Sequence, residues 1–220
     1  NLNGGNMKKI LLAVIFVFGF AVSFSIDITL PNKDVKIVKE VLLYKGSPFT
    51  GNIIMNTEDQ KDGYIGGISL KNGHLDGLSE LKNDRQGQHM RFTVVGGKFD
   101  GELIMNDPSQ NTYIMLDINK GAIVKYLADI QGVYKYDLNF VNNLANGSME
   151  AQGQVFTFKN GIAKGPQGQE LKLTLNPATG DLEMEAFVNG KTAGKQTIPN
   201  VLTPQYLESF LFQSITDTNN

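Results

Sequence analysis

The sequence predicts a mainly β protein, an open antiparallel β-meander of stacked hairpins followed by one C-terminal helix. Three observations predict it. A glycine-rich turn motif, "KNGHLDGL" at 71–78, returns as "VGGKFDGE", "VNNLANGS", "KNGIAKGP" and "VNGKTAGK". The units centre on Gly46, Gly73, Gly97, Gly121, Asn143, Gly161 and Gly190, at steps of 27, 24, 24, 22, 18 and 29 residues. All but one of these steps fall within the about 20–50 residues typical of repeat arrays. The third residue before each centre is apolar throughout: Leu43, Leu70, Val94, Ile118, Phe140, Phe158 and Phe187. With 24 glycines and no tryptophan in 220 residues, the composition also suits a turn-rich β chain.

The first 25 residues read as separate from the folded domain. Residues 1–6, "NLNGGN", precede Met7, and Gly4-Gly5 is what a purine-rich ribosome-binding site yields when translated in frame. They are expected to be an upstream translation artefact of a bacterial gene, with Met7 the true start. Lys8 and Lys9 lead an apolar run over 10–24, and Ala21, Ser23 and Ser25 offer small residues for cleavage. That is the layout of a secretory signal peptide, expected over 7–25. The run falls short of the about 20 apolar residues that a spanning helix needs. The protein is therefore expected to be secreted or periplasmic, with no transmembrane segment after signal removal. Loss of Lys8 and Lys9 takes the formal charge from −2 to −4, a mild acidity that argues against nucleic acid as a partner. The chain has no cysteine, which removes disulfides and thiolate chemistry.

Residues 26–200 are expected to form a single β-repeat domain. Asn-Gly, Gly-Gly and Asn-Asn at the unit centres tolerate positive φ at both central positions, as type I′ hairpins require. A second glycine follows at Gly51, Gly77, Gly101, Gly147, Gly165 and Gly194, while Lys125 takes its place in the fourth unit. A two-residue turn at Asn72-Gly73 pairs Lys71 with His74, Leu70 with Leu75 and Ile68 with Gly77. Alternation then puts Ile68, Leu70, Leu75, Gly77 and Leu81 on one face, and Phe92, Val94, Phe99, Gly101, Leu103 and Met105 on the same face of the next unit. The second glycine is expected to make packing space for a large residue opposite it: Ile68, Phe92, Leu138 or Phe156. Longer polar turns, such as "NDRQGQ", "NDPSQN" and "NPATGD", complete a meander of about thirteen or fourteen short strands.

The helix is predicted over 201–216. Thr203 suits the N-cap and Pro204 the first helical position. Tyr206, Leu207, Phe210, Leu211 and Ile215 recur at helical spacing. An open array needs its end covered, so this helix is expected to cap the sheet. Residues 217–220 are expected to be a disordered tail.

At "YKGSPFTG" and "LKNGHLDGL" the chain resembles MORN repeats, in particular the shortened variant of bacterial secreted and antitoxin-like proteins. The resemblance covers about 44–196. Leu, Val, Ile or Phe stand where the family's strands are richer in Tyr and Trp. It implies MORN-like stacked hairpins in an elongated open sheet that serves as a scaffold for protein or lipid contacts. The family has no common catalytic residues, so the resemblance assigns none.

The residues themselves point the same way. His74 flanks a tight turn and His89 starts a strand, so both are expected to be solvated imidazoles with no metal between them. Glu58, Asp59 and Asp62 lack the alternate spacing of a calcium loop. No phosphate-binding loop, dinucleotide fingerprint, nucleophile elbow or zinc spacing occurs. Asp76 and Asp100 take equivalent places in successive units, and the column continues as Val124, Asn146, Lys164 and Ala193, which reads as a variable solvent face. A face bearing Asp76, Glu80, Lys98, Asp100 and Glu102 is too charged for the lipid side of an outer-membrane barrel. The expected function is non-enzymatic and needs no cofactor or metal: a scaffold binding an unknown protein or cell-envelope component, with Lys98, Asp100 and Glu102 as the binding surface. An inhibitor or antitoxin-like protein for a single partner is the alternative, and an envelope hydrolase or an outer-membrane barrel ranks below both.

Overall fold

The computed structural model describes residues 26–56 and 63–219. The expected artefact over 1–6, the signal peptide over 7–25 and the acids Glu58, Asp59 and Asp62 lie outside the described residues. The chain begins with β1 (Ile26–Thr29), β2 (Val35–Val38), β3 (Val41–Tyr44), β4 (Ser47–Pro48) and β5 (Gly51–Asn56). There follow β6 (Ile65–Lys71), β7 (His74–Leu75), β8 (Gly77–Asn83), β9 (Gln88–Val95), β10 (Lys98–Phe99) and β11 (Gly101–Asp107). The middle comprises β12 (Thr112–Asn119), β13 (Ala122–Ile130), β14 (Tyr134–Val141), β15 (Leu144–Ala151) and β16 (Gln154–Phe158). Last come β17 (Ile162–Lys164), β18 (Gln169–Leu175), β19 (Leu182–Val188), β20 (Lys191–Ile198) and the helix α1 (Pro204–Asn219).

Strands β2–β4 form a three-stranded sheet and the other seventeen segments form one large sheet. There β1 lies parallel to β5, and from β5 onward the pairing is antiparallel and follows chain order. After β15 the hairpin β16–β17 is short, and β18 reaches back to β15 at Leu144–Thr174 before β19 and β20 complete the series. Among the described residues β1 pairs only with β5 and β20 only with β19, so the sheet stays open. Its inward face carries one continuous apolar core, including Phe92, Leu103, Leu116, Leu138 and Leu173. Each such side chain contributes about 1.5–3 kcal/mol by leaving water.

The tight turns have the conformation their residues suggest. Asn72 and Gly73 sit at φ +53° and +82°, and the two central residues at 96–97, 120–121, 142–143, 160–161 and 189–190 all have positive φ. Gln131-Gly132 and Gln152-Gly153 do the same at the other end of the strands, two turns the motif did not mark.

Pairing beyond the turn departs from simple counting in the second and third units. Lys71 faces His74 and Leu70 faces Leu75, but Gly67 faces Glu80, so the register has slipped by two residues across Asp76-Gly77. The same slip separates Phe99–Val94 from Ile104–Arg91. The expected Ile68–Gly77 pair does not form. Only in the fifth unit does the counted pairing hold, with Leu138 opposite Gly147. These bulges redefine the second glycine. A Cβ on Gly101 would meet nothing within 4 Å, so no bulky neighbour fills that space; its φ of +84° is what excludes other residues. At Gly147 the constraint is an approach of backbone: a Cβ there would fall on the carbonyl oxygen of Asp137.

Antiparallel succession places the turns at 72–73, 96–97, 120–121, 142–143 and 160–161 at one end of the sheet. Asn189-Gly190 lies at the opposite end, where the Asn189 amide donates to the Gly168 carbonyl. Between Gly161 and Gly190 the chain makes three strands instead of two. Pro166 opens a short 3-10 turn over Pro166–Gly168 directly after the three-residue β17, and the extra crossing inverts the last unit.

Helix α1 starts as predicted: the Tyr206 amide donates to Thr203 Oγ1 at 3.2 Å. It does not cover the far edge of the array. It returns to the first units, packing against β2 and β7, and β20 stays exposed from Lys191 to Thr197. Its buried side is Leu207, Leu211, Phe212 and Ile215, whereas Tyr206 and Phe210 are 53% and 45% exposed. The tail expected at 217–220 is helical through Asn219. The Asn219 side chain accepts from the Asn32 amide at 2.8 Å and donates to the Val35 carbonyl, which holds the last turn in place.

Candidate functional site

The polar column that reads as a variable solvent face has a structural use. In four units the residue just before the second glycine accepts a hydrogen bond from the first amide of the next tight turn. Thr50 Oγ1 accepts from Asn72 at 2.9 Å, Asp76 Oδ2 from Gly96 at 3.2 Å, Asp100 Oδ1 from Lys120 at 2.9 Å and Asn146 Oδ1 from Asn160 at 2.8 Å. The second turn residue often adds a backbone bond: Gly73, Gly121 and Gly161 donate to the carbonyls of Phe49, Phe99 and Ala145. Each turn is thus clamped to the hairpin before it. Val124, Lys164 and Ala193 hold the same place without an acceptor, and no such clamp forms there.

This separates the three residues expected to form a binding surface. Asp100 is engaged in the clamp. The methylene stem of Lys98 lies against the turn at Gly121. Glu102 faces solvent and meets Arg91 Nη1 at 3.4 Å. It belongs to a charged band that crosses five strands: Glu80 opposite Arg91, and Glu102 opposite Asp117 opposite Lys125. The two parts are joined diagonally by the Arg91–Glu102 contact, because on β11 Arg91 itself faces Ile104.

Neither imidazole is merely solvated. His74 Nδ1 lies 2.9 Å from Glu208 Oε1, while Glu208 Oε2 accepts from the Leu75 amide at 2.7 Å, so one carboxylate fastens α1 to β7. His89 Nε2 lies 3.0 Å from Glu80 Oε1. The Lys82 ammonium, together with His89, holds the Glu80 carboxyl below its usual range. Among the described residues no group of three or more His, Asp or Glu is placed to hold a metal ion. Burial pushes the Tyr126 phenol up to about 12, with Tyr136 stacked edge-on at 5.2 Å between centroids.

A concave site with a volume of about 400 Å³ lies between the exposed ring of Phe210 and the inward face of the sheet. Its floor is a register row: Met90 opposite Met105 on β9 and β11, and Met105 opposite Ile114 on β12. Ala128 follows in that row and is buried. The rim is made by turns at the end away from the clamps, chiefly Gln110 and Gln131, whose segments are tied by the Gln131 amide donating to the Asn111 carbonyl at 2.8 Å. Asp107, also on the rim, accepts from both the amide and the hydroxyl of Ser109, and those bonds hold its carboxyl below the ordinary range. Periodicity put Met105 in the apolar column and Phe210 in the helix stripe. Nothing in the sequence brings the two together, because the path of α1 across the sheet depends on the Glu208 and Asn219 contacts.

No protein-family model, no curated protein and no solved structure matches the chain.

Proposed function

We propose that the protein is an exported, non-enzymatic MORN-like repeat scaffold that binds a protein or a cell-envelope component through the solvent face of its sheet. The band Glu80–Arg91–Glu102–Asp117–Lys125 carries this reading, because it gives five neighbouring strands a continuous, mixed-charge surface on the side the core does not use. The engagement of His74 and His89 by single glutamates favours binding over catalysis. Complementary charge across such a face governs partner choice and rate of encounter more than raw affinity.

The test is capture from a cell-envelope extract by the purified protein, compared with a variant carrying Lys98→Glu, Glu102→Lys and Lys125→Glu. Asp100 is left unchanged because it clamps a turn. The native protein should retain a component that the variant loses, and that raised salt weakens. The thermal midpoint should stay close to native, since substitutions at exposed positions shift stability by only about 0.5 kcal/mol. Equal capture by both proteins would place the binding surface elsewhere.

A further inference from the structure

We infer that the cleft beneath Phe210 is a binding site for an uncharged amphiphile, with its apolar body on the methionine floor and a neutral hydroxyl or amide group at the glutamine rim. Met90, Met105 and Ile114 line the floor from three adjacent strands, and Phe210 closes it from the helix while remaining 45% exposed. A phenyl ring left half in water above an apolar floor gains by any apolar body placed between them. Methionine side chains reshape easily around such a body. A volume of about 400 Å³ suits a small molecule better than a protein segment.

The polar end of the ligand follows from which rim groups are engaged. The Asp107 carboxylate is bonded to Ser109, His89 is bonded to Glu80, and the Asn106 amide donates to the Gly87 carbonyl. The side-chain amides of Gln110 and Gln131 make no hydrogen bond with the described residues. The groups left over are therefore neutral and can both donate and accept. A carboxylate would meet the Asp107 charge with no free cation among the described rim residues, and an ammonium would gain little from a carboxylate that stays partly in water. A hydroxyl or amide loses nothing on either count.

This inference is independent of the charged band, which lies on the other face of the sheet. It is tested with three ligands sharing one chain: decanamide, decanoate and decylammonium. Binding to the full protein is followed through the methyl resonances of labelled methionine. Decanamide should shift Met90 and Met105 saturably and leave the buried Met55 and Met149 in place, with decanoate at least tenfold weaker and decylammonium no tighter. Phe210→Ala should weaken decanamide binding at least tenfold with the thermal midpoint unchanged. Absence of saturable shifts at Met90 and Met105, equal affinity for all three head groups, or undiminished binding by Phe210→Ala would each overturn it.

Discussion

The units turning at Gly73, Gly97 and Gly121 and those turning at Asn143, Gly161 and Gly190 share one sequence signature, yet they are held to their neighbours differently. Every turn in the first group is clamped by the preceding unit, through Thr50, Asp76 and Asp100. In the second group only the turn at Asn160 is, through Asn146, and the turn at Asn189 lies at the other end of the sheet. The signature that makes a turn is therefore separate from the residue that links turns. The turn needs two residues tolerant of positive φ, whereas the link needs one acceptor before the second glycine and an unbroken two-strand rhythm.

The largest expected effect contrasts two second glycines of the later group. Gly147→Ala should cost about 2–4 kcal/mol, from a strained φ and a Cβ placed on the Asp137 carbonyl. Gly194→Ala, where nothing lies within 4 Å, should stay within about 0.5 kcal/mol. Thermal or urea unfolding of the two variants measures the difference, and equal losses would show that the glycines share one role after all.

The clamp itself gives the next effect. Asp100→Ala leaves the Lys120 amide to water and should cost about 1 kcal/mol, while Asp100→Asn, which keeps an acceptor, should cost less than half of that. The smallest change runs the other way. Val124→Asn puts an acceptor where the fourth unit lacks one and should gain about 0.5 kcal/mol. If Asp100→Ala and Asp100→Asn lose equally, the charge and not the hydrogen bond matters; if Val124→Asn gains nothing, the Asn142-Asn143 turn is out of reach.

How much of this was readable beforehand depends on the kind of constraint. Turn positions were legible because few residues accept positive φ twice in succession. The inward face was legible because alternation needs only local counting, and Phe92, Val94, Phe99 and Leu103 are all buried. The two-residue slip at Asp76-Gly77 was not, since a bulge is settled by how both neighbouring strands pair. The inversion of the last unit left two traces, the long step of 29 residues and Pro166 after Gly165, that count for little until the strands between are known. The acceptors Asp76, Asp100 and Asn146 stood in register all along and read as a solvent face because their partners lie one unit further along the chain, whereas Thr50 stands one residue outside that register.

The attachment of α1 bears on the order in which the protein assembles. Nearly every strand pairing joins neighbours in sequence, so closing each hairpin costs little chain entropy and the sheet can grow unit by unit. The helix contacts are of another kind: Glu208 reaches the Leu75 amide across 133 residues and Asn219 reaches Asn32 across 187. In pulse-labelled hydrogen exchange the Gly121 amide, bonded within the array, should therefore be protected before those of Leu75 and Asn32; the reverse order would mean that the helix nucleates the sheet. The apolar face around β2 and β7 must wait for the sixteen residues of α1, so strands made well before the helix are completed only after it.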